Sequence, residues 1–572
     1  MNRKNFDPID VSYSDLFRHS QRQLIPSLQR PYTWDRKNIG KFLKDVIEND
    51  APYFIGSLVF IEGGKTTSRE EVIDGQQRIT TISLILIALR DYSEKNNIVD
   101  PETKRIKRYL FEPDFDEAPT VRLGFTNKVS NETYLKLLKG EAIDQSSDDL
   151  VNKFKENYDE ILRILEESIK RREVTAIELL NKIESLEIII ITCSKKSYGY
   201  KLFESLNATA ESLASVDLIK NSLFMILSTD EKLLASGEEK WTQLESHFSE
   251  SRSMFKTFIR HQWLSSVDYV SHSGLFEQFE KSYTKNKTTP KVALAYIDTL
   301  LKDAEIYLAI RKANINHLNK ITNVRFDRNE IERTLQFLSF LNVDQIYPIL
   351  LYIYKNEPSK FKQYLIQLTS FQFLFKFVPG SPSTVEKYFA QFCRRDIGKQ
   401  ELFKQLKKLC NNQQQQFVES FLFKTKYRKG SSGDIQFALE QYLYHFGPGL
   451  SYSKPTIEHI IPQRPDIPSK KKILLQFNGD STLFRKKIHE IGNLTILEKT
   501  TNSDKNNDNL PFAKKKVNYT KTNFKANSRI LDYNFDTDPL VAINLRGEHL
   551  AKDIYGIFLK SLETGKLVNR KK

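Results

Sequence analysis

An α+β fold is the class this sequence predicts, on three observations. An aromatic and β-branched stretch stands at Tyr53–Glu62. A long block from about residue 228 to 430 alternates apolar and charged positions at helical spacing. From about 431 onward, short strands, helices and basic loops return. At roughly 150 residues per domain, 572 residues allow several domains, and the pattern divides them as 1–227, 228–430 and 431–572.

In the first region, YFIGSLVFIE (Tyr53–Glu62) reads as a strand and Glu71-Val72-Ile73 as a second, short one. The Gly63-Gly64 pair between them is a turn signal. QQRITTISLILIALRDY, Gln76 to Tyr92, repeats apolar residues at three and four and reads as a helix. Leu186 to Thr192 is a buried strand, and helical segments follow around Tyr200–Leu206 and Ser215–Leu227. The middle block, with ERTLQFLSFL and FKQYLIQLTSFQFLFKF, is all-helical. Within it Gln413–Gln416 is a solvated loop or helix face. A boundary falls near Lys429–Gly433.

Composition excludes several classes. Apolar residues make up 40% and charged residues 28%, which argues against global disorder. The longest apolar run, about Ile79 to Leu89, is far short of a bilayer span, so no membrane association is expected. MNRKNFDPIDVSYSDLF has no apolar signal core, and Cys193, Cys393 and Cys410 are scattered. These features lead to the expectation of a reducing cytoplasm, without a disulfide scaffold or a four-cysteine zinc site. Net charge is +15, and Ser451–Lys572 holds 23 Lys and Arg against 13 Asp and Glu. Basic triplets at 470–472, 485–487 and 514–516 suit phosphate-backbone contact, with Lys514 the named candidate; the alternative is solubility.

Two N-terminal motifs carry chemistry. Gly64-Lys65-Thr66 is not one of them: a phosphate-binding loop needs glycine at position 59, which is Val59, so GGKTT reads as a hairpin turn. Asp74-Gly75-Gln76-Gln77-Arg78 lies where a strand ends and a helix begins. A helix N-terminus offers unpaired N–H groups to phosphate, Gly75 lets the backbone approach, and Arg78 supplies a fork for phosphate oxygens. Asp74 holds a metal or orients water, or else simply caps the helix. In Ile25–Trp34, Gln29, Arg30, Tyr32 and Trp34 either stack on and bond a nucleobase, or anchor the core.

QRPYTW, YFIGSLVFIE, VIDGQQR, LFESLN (Leu202–Asn207) and DLIKN (Asp217–Asn221) occur in that order. Together they resemble the N-terminal domain of GmrSD-type, modification-dependent (type IV) restriction proteins, over about residues 10 to 225. The resemblance implies a ParB-like fold and ties D-G-Q-Q-R to binding and hydrolysis of a nucleoside triphosphate. Asn207 is followed by Ala208-Thr209-Ala210, where the family often has an N-x-R-G stretch, so the arginine of that stretch is missing.

The C-terminal region holds a second constellation: Glu458-His459, then Gly492-Asn493-Leu494-Thr495, then Asn502. A metal-dependent nuclease needs a neutral imidazole as base, oxygen ligands for a hard cation and a group that orients the imidazole. His459 suits the first role, Glu458 and Asn502 the second, and Asn493 the third; His489 lies near. With the stretch from Asn502 through Pro511-Phe512 to Lys514, these motifs resemble HNH, or His-Me finger, nucleases with a ββα-metal core, and the nuclease half of the same family. The resemblance covers about 435 to 525 and implies Mg²⁺ or Mn²⁺.

The resulting expectation is a nucleotide-regulated, metal-dependent DNA endonuclease that restricts modified phage DNA. Its catalytic residues are His459, Asn493, Asp74 and Arg78. Asp74 to Arg78 bind nucleotide, and Gln29, Arg30, Tyr32 and Trp34 read the modification. A homo-oligomer is compatible with the sequence. The alternatives are a toxin nuclease without modification readout and a non-catalytic ParB-like DNA-binding regulator.

Overall fold

Four consecutive isoleucines, Ile188–Ile191, form the middle of a strand with hydrogen-bonded neighbours on both sides. Burial on both faces accounts for a run that is apolar throughout rather than alternating. The structure is a computed structural model. It describes residues 6–20, 22–26, 32–62, 69–98, 102–112, 120–146, 148–194, 198–199, 202, 215–249, 251–284, 288–322, 328–428, 432–447, 455–498 and 509–567. The chain forms two compact units, Met1–Ile259 with Ser271–Lys302, and Arg260–Val270 with Asp303–Lys572.

The first unit begins with β1 (Phe6–Ser12), α1 (Tyr13–His19), β2 (Gln23–Ile25), α2 (Arg36–Glu48), β3 (Phe54–Ile61), β4 (Glu70–Asp74) and α3 (Gln76–Lys95). It continues with α4 (Glu102–Leu110), β5 (Leu123–Phe125), α5 (Lys128–Leu138), α6 (Asp149–Lys170), α7 (Ala176–Glu184) and β6 (Glu187–Cys193). The strands lie in the order β1-β6-β3-β4-β2-β5. Pairing is antiparallel for β1/β6 and β3/β4 and parallel for the other neighbours, so the sheet is mixed. Every residue from Ile79 to Arg90 is buried. A helix apolar on all sides belongs at the centre of a unit, and α3 packs on α4, α6 and α7. Helices α8 (Ser215–Leu227), α9 (Glu231–Ser246) and α10 (Arg252–Ser266) follow.

In the second unit, helices continue through Gln414–Lys424, in line with the helical spacing of the middle block. The Gln414–Gln416 side chains are exposed in the first turn of that helix. Then come α11 (Gly433–Phe446), β7 (Pro455–His459), β8 (Leu494–Glu498), α12 (Phe512–Lys521) and α13 (Pro539–Thr564), with shorter helices between. Its buried face (Ile543, Gly547, Leu550, Ile554, Phe558) packs α13 against the helix Phe361–Phe375, α11 and the single turn Ile491–Asn493. Phe558 stacks on Phe373 with centroids 4.1 Å apart.

The α+β class is borne out. The expected strands at Tyr53–Glu62, Glu71–Ile73 and Leu186–Thr192 appear as β3, β4 and β6, and the expected helices as α3 and α8. Gly63–Thr67 and most of the Tyr200–Leu206 helix lie outside the described residues. Among the described residues no helix is long and apolar enough to cross a membrane.

Candidate functional sites

The first site grows from the β4–α3 junction. Val72 and Ile73 anchor β4 in the core, and Gly75 turns the chain with φ 87° into α3. A Cβ at Gly75 would lie 2.2 Å from Leu58 Cδ2 and 3.3 Å from Ser57 O. Glycine is thus required here by backbone conformation and by the approach of β3. One turn into α3, Arg78 donates from Nη1 to Ile55 O at 2.6 Å and from Nη2 to Ser57 O at 2.8 Å. Asp74 lies 3.6 Å from Nη2. Burial lowers the Arg78 pKa and Asp74 opposes that shift. The fork that the sequence offers to phosphate therefore binds the bulged strand β3 to α3, and Gly56 leaves the room it needs.

Gln77 joins two motifs that are far apart in sequence. Its Oε1 accepts from Thr33 N at 2.8 Å and Trp34 N at 3.3 Å. Asn157 Nδ2 donates to Trp34 O at 2.7 Å. Tyr32 is only 5% exposed; its hydroxyl bonds Thr81 Oγ1 at 2.7 Å and its ring packs on Phe154. Trp34 is half-buried against Phe42. Both aromatics thus serve as anchors, and Gln29 and Arg30 lie outside the described residues.

A pocket of about 570 Å³ opens at this junction, lined in part by Gln76, Gln77 and Thr80 of α3, Asn127 before α5, Lys153 of α6 and Arg252 of α10. No side chain caps the first turn of α3, whereas Asn127 and Asp148 cap α5 and α6. The D-L-I-K-N motif supports the pocket wall. Asp217 pairs with Arg252, and buried Lys220 pairs with Glu245 at 2.9 Å. Lys153 and Arg252 fall in no motif, so nothing in the sequence distinguishes them from other surface cations.

The second site is built on β7, β8 and α12. The two strands pair antiparallel, with His459 opposite Leu494. Gly492 makes this possible, since a Cβ there would fall 1.9 Å from Ile543 O of α13. Buried Arg546 of α13 donates to Gly492 O at 2.7 Å and Leu494 O at 2.9 Å, holding the G-N-L turn.

Asn493 is fully buried. Its Nδ2 donates to Ile461 O and Ile488 O, both at 2.9 Å, and its Oδ1 accepts from Ile461 N at 2.8 Å. It thereby pins the backbone that follows His459, while the ring itself is met by exposed Gln463. The Gln463 Nε2 lies 2.9 Å from His459 Nδ1 and 3.0 Å from Nε2, so it donates to one of them. Tyr427 packs edge-on against the ring, with centroids 4.7 Å apart, and His489 lies at 5.5 Å. Burial, and then the charges of His489 and Lys515, draw the His459 pKa down to about 3. The imidazole is neutral at physiological pH.

Glu458 points toward α12. Its Oε1 meets Lys515 Nζ at 2.5 Å, and Lys515 also donates to His459 O at 2.9 Å. Lys515 is 1% exposed and Glu458 2%. Its neighbour Lys514, the candidate backbone contact, is exposed, and Asn502 lies outside the described residues. Among the described residues no group of three or more His, Cys, Asp or Glu side chains is arranged to hold a metal ion. The described residues therefore do not fit Mg²⁺: the carboxylate expected to bind it is already neutralised by an ammonium. Tyr427, Gln463 and Lys515 were not legible as parts of this site, although Gln463 and Lys515 flank its motifs.

Residues 13–224 match the family described as GmrSD restriction endonuclease, N-terminal domain. Residues 412–553 match GmrSD restriction endonucleases, C-terminal domain. These spans contain the β4–α3 junction and the β7–β8–α12 site. No curated protein matches the chain.

Proposed function

Since the chain belongs to the GmrSD restriction endonuclease family, we propose that it is a nucleotide-regulated endonuclease of modified phage DNA with His459 as general base. Restriction of phage, with DNA as the partner, follows from the family itself. The observation that carries the proposal is the neutral, buried imidazole at the end of β7, opposite β8 and beside the α12 lysine. This order of strand, strand and helix supports the HNH, or His-Me finger, type.

In the proposed reaction Gln463 swings off the ring and His459 takes a proton from water. The hydroxide oxygen bonds to phosphorus, the P–O bond opposite it breaks, and the leaving oxygen is protonated by solvent. Asn493 keeps the strand end rigid. Lys514, with the exposed Lys470, Lys471, Lys472, Arg485 and Lys486 of the other triplets, holds the phosphate backbone. The resemblance also implies Mg²⁺ or Mn²⁺, a cation that the pairing of Glu458 with Lys515 opposes among the described residues.

The ParB-like reading of the first unit rests on the pocket beside the uncapped start of α3, which suits a nucleoside triphosphate. Of the motif Asp74 to Arg78, Gln76 and Gln77 line it, while Gly75 and Arg78 hold the β4–α3 junction behind them. Gln29 and Arg30 are the proposed modification reader; the anchors Tyr32 and Trp34 follow them in sequence, and the bonds from Gln77 to Thr33 and Trp34 join that segment to the pocket.

The test uses the full chain on modified and unmodified phage DNA, with and without nucleoside triphosphate. Loss of a general base typically lowers rate ~10²–10⁴-fold. His459→Ala should lose cleavage to that extent while still binding DNA and hydrolysing nucleotide. A folded His459→Ala protein that cuts at the wild-type rate refutes the assignment.

A further inference from the structure

The start of α3 carries Gln76, Gln77, Thr80, Thr81 and Ser83, all buried. Three of them are satisfied within the protein. Thr81 donates to Gln77 O at 2.8 Å and bonds the Tyr32 hydroxyl at 2.7 Å, Ser83 bonds the Tyr134 hydroxyl at 2.6 Å, and Gln77 holds Thr33 and Trp34. Gln76 and Thr80 line the pocket, are 5% and 1% exposed, and make no side-chain hydrogen bond among the described residues. The hydroxyl of Ser130, on α5, lines the same pocket in the same state, with the residue 4% exposed. Buried polar groups are nearly always hydrogen-bonded, so a cluster without internal partners marks where a ligand supplies them. Around these groups the wall is aromatic: Phe125 of β5, Phe248, and Phe255 of α10, the last two with ring centroids 5.2 Å apart. Charges at the pocket nearly balance, with Asp148, Asp149 and Glu245 against Lys153 and Arg252. Net charge therefore does not select the ligand, and the neutral donors and acceptors do. Neutral groups inside an aromatic wall suit the polar edge of a planar heterocycle, whereas phosphate oxygens call for cations.

We propose that Thr80 and Ser130 hydrogen-bond the edge of a nucleobase packed against the Phe125, Phe248 and Phe255 wall, and so hold the base end of the nucleoside triphosphate. Each hydroxyl both donates and accepts, so the pair can meet a ring carbonyl, a ring nitrogen or an exocyclic amine. The phosphates are left to the uncapped start of α3 and to Lys153 of α6, which has no ion pair among the described residues. The inference rests on the nucleotide reading of this pocket. It adds two residues outside the D-G-Q-Q-R motif and states which end of the ligand they bind.

The experiment measures binding of ATP, GTP, CTP, UTP and tripolyphosphate to the full chain by calorimetry, for wild type, Thr80→Val, Ser130→Ala and Lys153→Met. Loss of a neutral hydrogen bond typically weakens binding about two- to ten-fold. Each hydroxyl variant should lose that much for the nucleotide that wild type binds best, with tripolyphosphate unchanged, whereas Lys153→Met should weaken all five probes. Urea midpoints provide the folding control. Thr80→Val and Ser130→Ala should match or exceed wild type, because no internal bond is lost, and Thr81→Val should fall below it. Folded Thr80→Val and Ser130→Ala proteins with wild-type nucleotide affinity overturn the inference alone, as does an equal loss for tripolyphosphate, since the hydroxyls then hold phosphate. If both variants keep nucleotide affinity but lose discrimination between modified and unmodified DNA, the base comes from DNA and the assignment falls. A wild-type protein that binds none of the five probes overturns the nucleotide reading and the inference with it.

Discussion

Replacing Asn493 by alanine tests the claim that this residue acts through backbone hydrogen bonds rather than on the imidazole. The side chain is fully buried and satisfies three backbone groups: the Ile461 and Ile488 carbonyls and the Ile461 N–H. A buried backbone group left without a partner costs about 1–3 kcal/mol. Stranding three of them should destabilise the second unit by roughly 3 kcal/mol or more, whereas an average substitution gives about 1. Asn493→Asp sharpens the test. It keeps an acceptor for the Ile461 N–H but turns a carboxylate toward two carbonyls, so it should be at least as damaging as alanine. Urea unfolding measures the loss, and amide exchange of the segment around His459 and β8 localises it. If both variants stay within about 1 kcal/mol of wild type, the hydrogen-bond account of Asn493 is wrong.

Gly75→Ala should lower stability by roughly 2–4 kcal/mol, combining the left-handed backbone at φ 87° with a Cβ placed 2.2 Å from Leu58 Cδ2. An unchanged melting temperature would contradict the packing at the β4–α3 junction. A separate expectation concerns pH. Burial keeps the His459 and His489 pKa values below the ordinary histidine value, His459 at about 3. The unfolded chain therefore takes up protons first on acidification. Stability should be complete above about pH 6.5 and decline toward pH 3, at up to roughly 1.4 kcal/mol per unit for His459. Urea midpoints between pH 4.5 and 7.5 should show a smaller slope for His459→Gln than for wild type, and equal slopes would refute the buried neutral state.

Periodicity and β-branching made much of the fold legible. The run QQRITTISLILIALR could only be a helix at the centre of its unit, because no face of it is polar enough for water, and α3 is buried from Ile79 to Arg90. The four isoleucines of β6 signalled a strand covered on both faces. What periodicity does not carry is the order of strands. The parallel pairing of β2 with β4 and β5 joins segments separated by about 50 to 100 residues.

Residue types at the two sites were legible, but their partners were not, and partners decide what a group can do. Arg78 in D-G-Q-Q-R has the charge and geometry for phosphate, yet two carbonyls of β3 and Asp74 surround its fork. Glu458 has the charge for a metal, yet Lys515 lies in contact with it. Asn493 has the amide to orient an imidazole, yet that amide is taken up by the backbone, and Gln463 stands at the ring. In each case the motif survives as a constellation while one of its members turns from a ligand into a support. The pattern has a physical reason. A buried charged or amide group must be satisfied in the absence of its ligand, so the protein supplies a stand-in: a carbonyl for phosphate, an ammonium for a cation, an amide for water. Lys515, which no motif singled out, is thus the partner that decides how Glu458 is satisfied.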